Sequence, residues 1–248
     1  MWSNQYDKAY RYRQEVHILD PRLNNYIGLA INYERLGMEK EAYELLNEAQ
    51  SKFGESKGIK YRKAWFDLGF KNDATALIEL MMKDIEGKED NIFLKQQLAS
   101  FYVHKGQYKM AIKYLSCYDN IPPCESSVEF GKVLYAYALK KLGQHNKSSK
   151  YIDDILQRNS KFLQPESSKY QYNFRTLAGA HAMKGNADST IFWLQEWKKY
   201  GNYSLNTYTN MPPFKQIWET PSGQKFIKRE KEKVDSMVAI VRKMKIKG

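Results

Sequence analysis

Five turn positions, Gly37, Lys71, Gly106, Gly143 and Gly185, follow one another at steps of 34, 35, 37 and 42 residues, and around each the same order of residue types returns. The first block reads Tyr26-Ile27-Gly28-Leu29-Ala30-Ile31-Asn32-Tyr33-Glu34-Arg35-Leu36-Gly37, then Met38 to Ala42, with Leu46 and Ala49 beyond. Small and apolar residues fall at helical spacing on both sides of the glycine, so the block predicts a helical hairpin. Hairpins that recur at such a period each carry an apolar face that stays uncovered until the next one stacks on it. The expected fold is therefore all-α, an array of antiparallel helix pairs.

The second clear copy runs through Leu98, Ala99, Tyr102, Gly106, Tyr108, Ala111, Leu115 and Tyr118. A third passes through Tyr135, Ala136, Leu139, Gly143, Ser148, Ile152 and Ile155, and a fourth through Phe174, Leu177, Ala178, His181, Gly185, Leu194 and Trp197. A weaker copy, Ala64, Leu68, Ala76 and Leu80, turns at Phe70-Lys71-Asn72-Asp73. Alanine where two helices cross lets their axes approach, and glycine supplies a turn conformation that a Cβ disfavours. In period and in the small residues Ala30, Ala42, Ala99 and Ala111 the chain resembles the tetratricopeptide-repeat family, whose period is about 34 residues. The resemblance covers roughly residues 5 to 200 and implies a right-handed superhelical array that binds other proteins. The long fourth step places a lengthened helix or loop around Ser160 to Ser168.

Both ends depart from the pattern. Tyr6 through Val16, closed by Asp20-Pro21, reads as the second helix of a pair whose first helix has no room before it, so the natural protein is expected to continue upstream. After Gly201 the recurrence stops. Met211-Pro212-Pro213-Phe214-Lys215-Gln216-Ile217-Trp218, followed by Pro221 and Lys225-Phe226-Ile227, resembles a block found after the last repeat in many bacterial multidomain regulators, although Pro212-Pro213 stands where that block has Asp-Pro. The resemblance implies that Phe214, Ile217, Trp218 and Phe226 lie over the end of the last helix pair. The organisation expected is repeats over 1–200 and a capping segment with a basic helix over 201–248. On the final helix Ile227, Val234, Val238, Val241 and Met244 share a face; it is read as a solvated cap, a coiled-coil or partner-binding segment, or a nucleic-acid or membrane-surface contact.

Charge narrows the partners. Lys and Arg number 40 against 28 Asp and Glu, a net +12, which attracts acidic proteins or other polyanions. From Lys225 to Gly248 nine basic residues face three acidic ones, so half the excess lies in the tail. Single-strand nucleic-acid binders interleave aromatics with bases, and no aromatic follows Phe226, so nucleic acid is not the expected partner. No membrane-length apolar run and no signal-peptide layout occur; the compartment expected is cytoplasmic, or periplasmic if a leader precedes. Cys117 and Cys124 could be bridged or free.

No catalytic assembly is legible. His17, His104, His145 and His181 are scattered, with no zinc-binding pair, phosphate loop or nucleophile elbow, so the reading is of a non-enzyme with neither metal nor cofactor. His181 falls at a core repeat position. The functional surface implied by the family resemblance is the concave groove lined by the first helix of each pair. By register it takes Asn24, Ile27, Ile31 and Arg35, Tyr61 and Trp65, Phe93, Gln96, Ser100 and His104, Phe130, Val133, Tyr137 and Lys141, then Tyr172 and Arg175. Arg35, Tyr61, Trp65, Gln96, His104, Tyr137, Lys141 and Arg175 are the candidate partner-binding residues, suited to a peptide or helix with apolar anchors and negative charge. The rival reading is a sensory or dimerisation arm, joined through the C-terminal helix, of a larger bacterial regulator whose kinase, cyclase or DNA-binding domain lies outside this chain.

Overall fold

Four turns with one hydrogen-bond pattern set the architecture. Gly37, Gly106, Gly143 and Gly185 hold φ between 69° and 80°, and in each the next residue donates its amide five positions back: Met38 to Tyr33, Gln107 to Tyr102, Gln144 to Leu139 and Asn186 to His181, at 2.9–3.0 Å. This satisfies helix-end carbonyls and stops the helix where a left-handed residue is needed. In the second pair that residue is Asn72, φ 54°, one position past the expected Lys71. Asparagine tolerates the left-handed region through its short polar side chain, whereas Lys71 stays helical and its Nζ lies 2.7 Å from Asp67.

The computed structural model describes residues 3–88, 91–116, 118, 129–159, 170–199 and 205–245. The helices are α1 (Ser3–Leu19), α2 (Leu23–Arg35), α3 (Glu39–Phe53), α4 (Lys57–Lys71), α5 (Thr75–Ile85), α6 (Ile92–His104) and α7 (Tyr108–Leu115). They continue as α8 (Glu129–Lys141), α9 (His145–Asn159), α10 (Tyr170–Met183), α11 (Ala187–Lys198), α12 (Leu205–Asn210), α13 (Lys215–Trp218) and α14 (Pro221–Lys245), with a 3-10 turn at Pro212–Phe214. No strand occurs among the described residues. The fold is all-α, built from antiparallel helix pairs as the recurrence requires. Cys117, Cys124 and the stretch around Ser160 to Ser168 lie outside the described residues.

Two compact units divide the chain. The first holds residues 1–72, 204–208 and 225–248, and the second holds 73–203 and 209–224. In the first, Leu29 and Ala30 of α2, Ala42 and Leu46 of α3 and Phe66 of α4 form one buried cluster with Tyr10 of α1. Ala30 and Ala42 are fully enclosed, the close crossing that small residues permit. Tyr10 and Tyr33 share a buried hydroxyl–hydroxyl hydrogen bond of 3.0 Å, so α1 belongs to the core. Val241 of α14 is buried in the same cluster, with Met237, Val238 and Met244 packed against it. The tail is amphipathic as expected, but its apolar stripe is covered by its own chain.

In the second unit Ala99 and Ala111, and Ala136 with Ile152, repeat the arrangement. Ser148 occupies the small-residue position of its pair and donates to the Ala136 carbonyl at 2.7 Å, so its buried hydroxyl is satisfied. First helices α6 and α8 pack side by side, as do α8 and α10. Gly179 makes the second approach possible, since a Cβ there would sit 2.8 Å from Val133 Cγ1.

Candidate functional site

The lining residues expected from register fall into separate groups. In the first unit Arg35 is half-buried at the end of α2. It shares its surroundings with Arg62, whose Nε is enclosed without a hydrogen-bond partner and whose pKa is lowered by burial, with Arg35 adding to the lowering and Glu34 opposing it. Arg62 was missed because it lies beside the lining register of α4 and not on it. Lys57 Nζ stands 5.7 Å from the Tyr61 ring, and Trp65 is 37% exposed.

The second unit brings the remaining candidates onto α6, α8 and α10. Gln96 of α6 donates to the Tyr118 hydroxyl, and a Cβ at Gly131 would collide with that pair, so Gln96 is engaged in packing α6 on α8. Val133 is fully enclosed and is likewise a packing residue. Ser100 donates to the Gln97 carbonyl. Tyr137 meets the Tyr108 ring edge-on at 6.0 Å, with Lys141 Nζ 5.4 Å above its own ring. Burial and then Tyr108 push the Tyr137 hydroxyl well above the ordinary phenol range, so it stays protonated. Phe93 is 60% exposed. The side chain of Tyr172 lies outside the described residues.

Arg175 is the centre of the densest group. Its guanidinium carbon stands 3.7 Å from the Phe130 ring centroid and 5.5 Å from that of Trp197, a cation held over aromatic faces. Its Nη2 also donates to Met211 Sδ at 3.9 Å. His104, at the end of α6, is pushed down to about 4 by burial, then by the positive charges of Lys215 and Arg175. Its Nδ1 is enclosed without a hydrogen-bond partner. The imidazole is therefore neutral at pH 7 in a field of two cations.

Lys215 enters through the post-repeat block. The Pro212–Phe214 turn packs on α10 and α8, with Met211, Phe214 and Ile217 buried and Gln216 donating to the Ala182 carbonyl of α10. The block thus lies along first helices of the last two pairs, where Lys215 joins the candidate surface. The apolar residues Met211, Phe214 and Ile217 made burial of the segment legible; its placement beside His104 required the packing.

The arrangement offers charge and aromatic area. Among the described residues no three His, Cys, Asp or Glu cluster as a metal site would need, and no helix is long and apolar enough to cross a membrane.

No family model matches the chain, and no curated protein matches it. Solved structures similar to this chain include two of one protein. One is a putative kinesin light chain of Podosopora anserina with nearly identical TPR-like repeats, 16% identical, covering 89% of this chain and 96% of its own, with a TM-score of 0.34. The other is a point variant of that same protein, also 16% identical, covering 90% and 97%, with a TM-score of 0.36.

Proposed function

We propose that this chain is a non-enzymatic protein-interaction scaffold, and that the face of α6, α8 and α10 in the second unit receives an acidic segment with an apolar anchor. The observation that carries this reading is Arg175 set over Phe130 at 3.7 Å, with Lys215 and neutral His104 in the same electrostatic field. Stacking holds the guanidinium plane while its N–H edge can address a carboxylate, which an isolated surface lysine cannot do in a fixed direction. Phe130 and Trp197 supply the area against which an apolar side chain of the ligand would lie.

The test is fluorescence anisotropy with a labelled peptide of alternating Glu and Leu, against the full chain. Arg175→Ala is expected to weaken binding about tenfold to a hundredfold, as losing one charge-assisted contact of roughly 1.5–3 kcal/mol requires. Lys215→Ala, exposed and screened, should cost less and mainly flatten the salt dependence. Equal binding by wild type and Arg175→Ala with helicity unchanged sinks the assignment of this face.

A further inference from the structure

In the second unit two tyrosine hydroxyls converge on one thioether. Met82, in the last turn of α5, accepts from the Tyr102 hydroxyl of α6 at 3.6 Å and from the Tyr114 hydroxyl of α7 at 3.3 Å. The two rings are stacked, with centroids 5.6 Å apart and planes 9° from parallel, so the phenols reach the sulfur side by side. Tyr102 is buried, and that burial, then Tyr114, raises its pKa, so its hydroxyl keeps the proton it donates. A thioether is a weak acceptor for two such donors. The three helices therefore aim more hydrogen-bonding capacity at this position than methionine uses.

The sulfur is also within reach of small molecules in solution. Met82 is 37% exposed and Met110 36%, whereas Met38, Met81, Met183 and Met211 are buried. Adding one oxygen to a methionine turns an apolar side chain into a polar sulfoxide, which disrupts a core because its oxygen is then buried without a donor. At Met82 the donors are already in place. Thr75 and Asp73 hold the other end of α5 through the 3.0 Å and 2.6 Å hydrogen bonds at its first turn, so the helix is fixed at its start and its last turn carries the reactive sulfur.

We propose that Met82 is an oxidation site, at which hydrogen peroxide converts the thioether to a sulfoxide whose oxygen is held by the Tyr102 and Tyr114 hydroxyls. A sulfur lone pair attacks one peroxide oxygen, and the S–O bond forms as the O–O bond breaks. The proton on the transferred oxygen passes to the departing hydroxyl, which leaves as water. Sulfur loses two electrons and the peroxide gains them. Two weak O–H···S contacts thereby become O–H···O hydrogen bonds, which tie α5 more firmly to α6 and α7. Oxidation here stabilises the fold, the reverse of its effect in a core. The site does not rest on the acidic-segment reading.

The test treats two variants of the full chain with limiting hydrogen peroxide and locates the sulfoxide by peptide mass spectrometry. Met110→Leu takes its exposed sulfoxide at Met82, and Met82→Leu takes it at Met110. Oxidised Met110→Leu is expected to melt about 2–4 °C above its reduced form, the shift that one added hydrogen bond gives a chain of this size. Oxidised Met82→Leu should melt no higher than its reduced form. In the Met110→Leu background Tyr114→Phe keeps the ring and should lower the gain, and Tyr102→Phe added to it should abolish the gain. Wild type needs no variant to fold: its Met82 should oxidise at least as early as Met110 and ahead of Met81, Met183 and Met211, after which the amides of α5 should exchange more slowly. A melting point unchanged or lowered by the Met82 sulfoxide, a gain that survives loss of both hydroxyls, or a Met82 that stays reduced while Met110 oxidises overturns the proposal.

Discussion

His104 is where the surroundings change a side chain's chemistry most usefully for measurement. Burial, then Lys215 and Arg175, hold it at about 4 against an ordinary 6.5. As pH falls below 6.5 the unfolded chain takes up the proton first while the folded chain does not, so stability present above 6.5 is lost progressively down to about 4 and no further below it. At about 1.4 kcal/mol per pKa unit, and discounting for partial exposure, the loss is roughly 2 kcal/mol. Thermal melts of wild type and His104→Gln at pH 7, 5.5 and 4 should therefore diverge only in acid, with wild type falling further. Parallel curves would mean that His104 takes its proton in the fold as easily as out of it. Its position on a first helix was readable from register, but its neutrality was not. That follows from Lys215, 111 positions away in sequence, and no local pattern brings the two together.

Among the elements, α5 shows how a weak copy of the recurrence is still fixed in place. Asp73 sits two residues before its first turn, accepting from the Thr75 amide at 3.0 Å and the Thr75 hydroxyl at 2.6 Å, with Lys105 at 3.2 Å. Those hydrogen bonds, Thr75 first and then Lys105, hold the carboxyl at about 2 against 3.8. Its contribution is present above about pH 4 and lost as pH falls toward 2. Asp73→Ala should lower stability at pH 7 by roughly 1 kcal/mol, the net return of its hydrogen bonds to Thr75, and by clearly less at pH 2, where the carboxyl is partly protonated, as urea titrations at the two pH values would show. Helix existence, pairing and four of five turns were legible because glycine, alanine and apolar spacing are local signals. The fifth turn slipped by one residue because Asn72 takes the left-handed conformation without being glycine. The placement of α14 was legible only by half: Val238, Val241 and Met244 mark a face, but nothing near them specifies a seat that begins at Tyr10.

At the scale of the whole molecule the chain is not cut into its units by a single boundary. The first unit takes residues 1–72 from one end and 225–248 from the other, and the second is drawn from between them. A core that joins Tyr10 to Val241 closes over nearly the full length of the chain, so its last contact carries a long-range ordering cost, although one that grows slowly with length. A chain truncated before Lys225 tests what that contact contributes. It loses full burial of Phe226 and Val241 and partial burial of Met237, Val238 and Met244, together roughly 5–8 kcal/mol at the usual return per buried apolar side chain. That is a large share of an ordinary domain's stability, yet the Leu29, Ala42, Leu46 and Phe66 packing of the pairs remains. Urea unfolding followed by hydrogen exchange should then separate into two steps, with the amides of α1 to α4 released first and those of α6 to α11 protected as in the full chain. Loss of protection across both groups together would show that the two units unfold as one, and that the C-terminal helix supports more of the molecule than the cluster around Tyr10.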